Sequence, residues 1–385
     1  MQDDTARFTS MPHSAMATGA VDFVLSPKEI ACELARLSKH PFVKRNDQKT
    51  GTEDLIDSDN PDLKVILNQL YKVTGVDFGA YKMNTIKRRI SRRMLLHKLT
   101  HLKEYAQLLN KENEEIDILY QDLLINVTRF FRDFDTHKYL RTHLLPKLLK
   151  GKIEGESLRI GVPVCSTGEE AYSIAMMLLE INEKQDLNIP IQIFATDLSE
   201  HAISKARIGV YTKQELETVS PQRIQRFLTK ADGGFRVNKA VRDMCVFAPH
   251  NILTDPPFSR LNFISCCNLF IYLDTAAQKK AVNTFHYALN SDGFLMLGKS
   301  ENISHSSHLF KLSNSKYKIF TRKANSGQHR LPKLTKTSKQ KPSAHKTISF
   351  GSKTKRQVNF SVSEQQLDLS VDEVLVSEFM PQCGN

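Results

Sequence analysis

Apolar positions recur every three to four residues between 61 and 150. Leu63, Ile66, Leu67 and Leu70 mark one helix, and Ile86, Ile90 and Met94 mark another at i, i+4 and i+8. From 151 to 323 the pattern changes. Short apolar runs at 158–164, 191–196 and 261–266 alternate with longer stretches of helical period. That alternation predicts an α/β fold, a doubly wound and mostly parallel sheet with helices on both faces. Residues 206–246 interrupt it with Gly209, Tyr211, Gly233-Gly234 and a strand-like Phe235-Arg-Val. Near the start, 16–25 reads as a short strand after a turn. Ser26-Pro-Lys-Glu then opens a helix by the cap-plus-proline pattern. The polar, charged stretch 44–60 reads as a linker.

The run 158–164 ends in a turn of small residues, Cys165-Ser166-Thr167-Gly168. A helix follows, with apolar Tyr172, Ile174, Ala175, Met176, Leu178 and Leu179. A strand-to-helix turn of this kind lets a ligand meet backbone N–H groups at a helix N-terminus. Phosphate-binding versions carry Gly-x-Gly-x-x-Gly or a terminal Lys-Ser. Here Glu169 and Glu170 stand instead. Two carboxylates suit the helix dipole but repel phosphate. They suit an ammonium or sulfonium group, which points to S-adenosylmethionine. The next strand, 191–196, runs into Asp197, 29 residues past Gly168. An acid at that strand tip accepts from ribose hydroxyls in doubly wound folds. It equally suits a cap for the helix starting near Ser199.

Charge changes the picture only at one end. The chain of 385 residues has a net charge of +12. Residues 322–356 hold eleven Lys and Arg and no acid, which leaves the remainder close to neutral. This stretch is rich in Ser, Thr, Gln and Pro, so 324–385 reads as a basic, disordered tail. Without interleaved aromatics it argues for no specific nucleic-acid partner. The six cysteines include no Cys-x-x-Cys pair, and Cys266-Cys267 are adjacent. That suits neither a zinc site nor an ordinary disulfide, so no metal is expected and the thiols read as reduced and cytoplasmic. No apolar run approaches the ~20 residues of a membrane span.

Several separated stretches carry a family likeness. They are Asn126-Val-Thr-Arg-Phe-Phe-Arg132, Cys165-Ser-Thr-Gly-Glu-Glu-Ala-Tyr-Ser173, Ala195-Thr-Asp197, His250-Asn-Ile-Leu253, Cys266-Cys-Asn268 with Ile271-Tyr272, and Ser300-Glu301-Asn302. In this order, over about 63–320, the chain resembles the CheR-type chemotaxis receptor methyltransferases. The wording is nearest the branch fused behind a CheB-type methylesterase. The resemblance implies a Rossmann-like S-adenosylmethionine-dependent methyltransferase with a small N-terminal helical domain and a small β insert. It implies transfer of a methyl group to glutamate side chains of chemoreceptors. The implied divisions are 1–43, a methylesterase remnant; 44–60, linker; 61–140, helical domain; 141–323, methyltransferase domain; and 324–385, tail. The segment 365–380 resembles the lead-in to a sensory domain.

The resemblance also implies the site. Asn126, Thr128 and Arg132, on a helix-like segment, line the cofactor. Glu169 holds its amino group and Asp197 its ribose. Asn251 and the backbone beside Ile252 reach the adenine, although Asn251 also suits a plain turn. Cys267 and Asn268 close the pocket after the strand 261–266, while Tyr272 reads as a core aromatic. No catalytic base is assigned, because a glutamate nucleophile is already ionised. On the second helix Lys87, Arg88, Arg89, Arg92 and Arg93 cover the face opposite Ile86. That face is either plainly solvated or a dock for acidic receptor helices; the resemblance favours Arg88, Arg89, Arg92 and Arg93 as the dock. Three positions depart from the family pattern. Cys267 replaces arginine, Val164 replaces a small residue, and Asn262 replaces aspartate. Placed around one pocket, they would slow the enzyme or leave a cofactor- or receptor-binding module. A nucleic-acid methyltransferase reading of Thr254-Asp-Pro-Pro-Phe258 is weaker, because that loop precedes the strand 261–266.

Overall fold

The computed structural model describes residues 1–17, 21–39, 56–152 and 155–324. The basic tail beyond 324, the segment 365–380 and most of the 44–60 linker lie outside the described residues. The chain forms two compact units. The first holds Met1–Ile125 with Tyr272–Ala277, and the second begins at Asn126.

In the first unit the described residues form α1 (Ser10–Ala17), α2 (Pro27–Lys39), α3 (Pro61–Thr74), α4 (Met83–Leu96), α5 (Leu102–Lys111) and α6 (Asn113–Leu123). The start of α3 is set by Asn60, whose side chain accepts from the Asp62 N–H, with Pro61 in the first turn. It stops at Gly75, which takes φ +70° and returns its N–H to the Tyr71 carbonyl. Leu63, Ile66 and Leu70 are buried on α3, and Ile86, Ile90 and Met94 on α4, as the periodicity predicts. Glu115 of α6 joins these helices. It is 2 % exposed. Its carboxylate accepts from Arg93 Nε at 2.9 Å, from Arg93 Nη2, from His97 Nε2 at 2.8 Å and from the Tyr105 hydroxyl at 2.7 Å. The Arg93 partnership overcomes the cost of burial and keeps the Glu115 carboxyl below the usual range.

The expected strand at 16–25 is not formed among its described residues, 16–17 and 21–25. Met16 belongs to α1, and Leu25 makes only a bridge to Gln2. The expected helix start is present: Ser26 Oγ and the Glu29 carboxylate exchange bonds with each other's backbone N–H.

The second unit opens with an extended and turned segment, 126–133. It continues through α7 (Phe134–Tyr139), a π-helical turn at Leu140–Leu144 and α8 (Leu145–Lys150). Then come β1 (Leu158–Pro163), α9 (Glu169–Gln185), β2 (Ile191–Asp197), α10 (Glu200–Ile208), β3 (Val210–Tyr211), α11 (Pro221–Phe227), β4 (Leu228–Ala231), β5 (Gly234–Val237), α12 (Lys239–Arg242), β6 (Cys245–Pro249) and β7 (Leu261–Cys266). The last elements are α13 (Thr275–Ala288), β8 (Leu289–Leu297), β9 (Phe310–Asn314) and β10 (Ile319–Arg322).

Seven strands make one sheet in the order β6-β2-β1-β7-β8-β10-β9. The five strands from β6 to β8 are parallel; β10 is antiparallel to β8 and β9. Every residue of β7 is buried, as a strand covered on both faces requires. Helix α9 is buried without a break from Ala171 to Leu178, so it is apolar on every side rather than striped. The interruption at 206–246 is a three-stranded antiparallel sheet, β3-β5-β4. Gly234 is required there, because a Cβ would stand 2.2 Å from the Tyr211 carbonyl oxygen.

Candidate functional site

Strand order reverses at β1: the chain moves outward to β2 and β6, then returns to β7 on the other side. Doubly wound sheets bind ligands at such a point, beyond the carboxyl ends of the strands. Four sequence-predicted groups meet there. The turn after β1 supplies Glu169, the tip of β2 supplies Asp197, and the end of β7 supplies Cys267 and Asn268.

The turn is built from left-handed backbone. Val164 takes φ +60°, Ser166 +51° and Gly168 +96°. At Gly168 a Cβ would stand 2.9 Å from Ala206 Cβ, so glycine is needed on both counts. Valine at positive φ is strained, which gives a backbone reason for the small residue expected at 164. Asp197, 4 % exposed, accepts from the Ser166 N–H at 2.8 Å and the Ser199 N–H at 2.9 Å. The carboxylate fixes the turn and holds Ser199, whose own hydroxyl caps α10 at the Ala202 N–H, and an ionised carboxylate still has lone pairs to offer. Burial raises its pKa, against those amides. Ser166 is buried, and its Oγ finds no hydrogen-bond partner among the described residues.

Glu169 is buried and accepts from the Thr167 hydroxyl at 2.7–2.8 Å; burial raises its pKa. Glu170 points elsewhere. It crosses to the end of β7 and accepts from the Ser265 hydroxyl. Burial pushes the Glu170 carboxyl up to about 7. Beyond β7, Asn268 takes φ +63°. Its N–H, with those of Phe270 and Gly298, donates to Glu301 at 3.0, 2.7 and 2.6 Å. Glu301 is 2 % exposed and ties the end of β7 to the end of β8. The glutamate was visible in the sequence as part of a motif; its partners, 31 and 33 residues away, were not.

The remaining residues vary. Asn126 is exposed, Thr128 and Arg132 half-buried. The segment they occupy is not helical as expected. Its backbone is held by side chains instead: the Phe131 N–H donates to Ser173 Oγ and the Thr218 hydroxyl donates to the Phe130 carbonyl. Arg132 Nη1 bonds the Val127 carbonyl. Asn251 makes an Asx turn, its Oδ1 accepting from the Leu253 N–H at 3.0 Å. Ile252 lines a small apolar crevice of about 40 Å³ with Phe194, His250 and Phe258. Tyr272 is half-buried rather than a core aromatic.

Two further expectations need correction. Asn262 does not flank the pocket. It sits at the opening of β7, and its Oδ1 accepts from the Arg159 N–H at the start of β1. Four residues of strand, about 13 Å, separate it from Cys266 at the ligand edge. An amide oxygen serves that bond as a carboxylate would. On α4, Arg93 is no docking residue, because Glu115 holds it inside the helical unit. Arg92 is exposed but paired with Asp22 at 2.8 Å and Asp122 at 3.5 Å. Arg88 is exposed and Arg89 half-buried.

A groove of about 540 Å³ lies apart from the turn, lined by Phe131, Phe134, His137, Lys138, Arg141 and Arg223 among others. Arg223 is committed there to Glu180 and to the face of Phe131. None of the turn residues lines this groove, so the strand-end site rests on topology and side-chain placement. Its donor set suits S-adenosylmethionine: buried carboxylates for cationic groups, and a Ser166 hydroxyl without a partner among the described residues.

Sheet order, acidic turn and second-strand aspartate define an S-adenosylmethionine-dependent methyltransferase. Residues 126–319 match the CheR methyltransferase SAM binding domain, and 61–124 match the CheR methyltransferase all-alpha domain. The chain belongs to the CheR methyltransferase family. It is similar to the chemotaxis protein methyltransferases of Borreliella burgdorferi, 29% identical over 67% of this chain and 93% of that one, and of Escherichia coli, 32% identical over 63% and 85%. It is also 32% identical, over 82% of its length, to a 104.1 kDa uncharacterized protein of Rhodobacter capsulatus, of which it spans 35%.

Proposed function

We propose that this methyltransferase acts on glutamate side chains of chemoreceptor cytoplasmic helices, giving methyl esters. The supporting observation is the acidic, left-handed turn with Asp197, carried by a chain that matches both CheR domains. Glutamate suits this site because its carboxylate, of ordinary pKa about 4.3, needs no base near neutral pH. The protein must hold the reactants in line and keep water out. S-adenosylmethionine, when bound, supplies the activated methyl group. Glu169 would take its amino group, Asp197 its ribose, and Asn251 with Ile252 its adenine. Asn126, Thr128, Arg132, Cys267 and Asn268 would complete the pocket. Arg88 and Arg89 would meet the acidic partner, with Arg92 joining if it exchanges Asp22 for a receptor carboxylate. The helix Pro27–Lys39 fits the last helix of a CheB-type methylesterase, and the protein fits a cytoplasmic role. No helix among the described residues is long and apolar enough to cross a membrane.

Incubation with methyl-labelled S-adenosylmethionine and receptor cytoplasmic fragments should yield base-labile methyl ester. Cofactor binding without ester, in the unaltered protein and in Cys267→Arg/Val164→Gly alike, would overturn the enzyme reading and leave a binding module.

A further inference from the structure

Glu170 has no role in the site as assigned above, yet it occupies the crevice where strand order reverses. It stands in the first turn of α9, after β1, and spans to Ser265 near the end of β7. The groups facing it are mostly acids or neutral. From β7 and just beyond it come Ser265, Cys266 and Cys267; after β8 comes Glu301; beside it on α9 is Glu169. Cys165 lies within its field from the turn. Among the described residues Arg132 is a cation whose field reaches it, a weaker influence than burial. With Glu169, Asp197 and Glu301, four carboxylates gather at this edge of the sheet. Among them Glu301 acts on Glu170 as a like charge, which favours a proton on Glu170 unless a cation stands beside it. An arginine at 267 would supply a permanent one; Cys267 supplies none.

We propose that Glu170 is a positioning residue that carries a proton in the free protein and releases it when the sulfonium of S-adenosylmethionine binds. The sulfonium then takes the place of the missing guanidinium as the carboxylate's countercharge. The demethylated product has a neutral sulfur and gives Glu170 no reason to ionise. The carboxyl thereby distinguishes cofactor from product by charge. Its balance is simple: the O–H bond of Glu170 breaks, the proton passes to solvent, and the site gains one negative charge as it gains one positive. With the Glu170 carboxyl at about 7, half the free protein is protonated at neutral pH. If only the ionised form accepts the sulfonium, affinity for S-adenosylmethionine should rise about tenfold from pH 6 to pH 8 through this group. Affinity for the product should gain nothing from it.

The inference rests on this edge being the cofactor site, and calorimetry separates the two. Titration of the full chain with S-adenosylmethionine at pH 7, in buffers of different ionisation enthalpy, should show about half a proton released per cofactor beyond that released by Glu170→Gln. The product should show no such difference between the two proteins. Cys267→Arg should also lose the release, because a fixed guanidinium keeps Glu170 ionised throughout. In the unaltered protein, the infrared difference spectrum of cofactor binding should lose a protonated-carboxyl band. Binding with equal proton release in unaltered and Glu170→Gln protein, or with no loss of that band, overturns the proposal. Absence of cofactor binding altogether would instead overturn the site.

Discussion

Val164 sits at φ +60° in the turn after β1, where a β-branched side chain crowds the backbone. Comparing Val164→Gly with Val164→Ala isolates that strain, since both remove the isopropyl group and its packing. At an ordinary position alanine is the more stable, by roughly 0.5–1 kcal/mol, because glycine loses more freedom on folding. In left-handed backbone a Cβ costs roughly 1–2 kcal/mol. The order should therefore invert, with Val164→Gly more stable than Val164→Ala by about 0.5–1 kcal/mol. For a unit of this size that is about 1–4 °C in melting temperature. Denaturant titration at pH 7, with the slope checked for constancy, measures the difference directly. If Val164→Ala proves more stable than Val164→Gly by the usual margin, position 164 is not left-handed in solution. The backbone account of its departure from the family pattern would then fail.

Other perturbations give equally definite outcomes. Glu115→Ala should destabilise the helical unit by about 3–5 kcal/mol in thermal unfolding, because it leaves Arg93 buried without its partner. Asp197→Asn should weaken S-adenosylmethionine by about 1–3 kcal/mol in calorimetry; unchanged affinity would remove Asp197 from the site. Neutralising Arg88 and Arg89 should slow receptor association, and more at low salt than high; a rate insensitive to both would return that face to plain solvated surface. The raised Glu170 carboxyl favours the folded state most below its unfolded value near 4.5, and that contribution is lost as pH rises to about 7. Glu170→Gln should therefore flatten the stability profile between those limits.

Periodicity was enough for the α3 and α4 cores, because each helix buries a stripe of its own residues. Alternating runs were enough for the sheet, and the paired glutamates after a small-residue turn gave the cofactor's charge. What escaped depends on distant partners. Arg93 looks like its exposed neighbours until Glu115, 22 residues on, is brought beneath it. Asn262 is only five residues from Cys267 in sequence, yet an extended strand turns that spacing into separation. Residues 126–132 carry a helix-like composition, but Ser173 and Thr218 hold the backbone of Phe131 and Phe130 in a turn.

The clasp formed by Glu301 has an evolutionary consequence. Because the Asn268 and Phe270 amides after β7, and the Gly298 amide after β8, converge on one carboxylate, the backbone beyond β7 is held by bonds that involve no atom of the side chain at 267. Arginine and cysteine codons can differ by a single base. One point mutation can therefore move this lineage between a pocket with a built-in countercharge and one that borrows it from its ligand, without passing through a misfolded ancestor. Glu301 itself enjoys no such freedom, since any replacement would strand the amides it gathers.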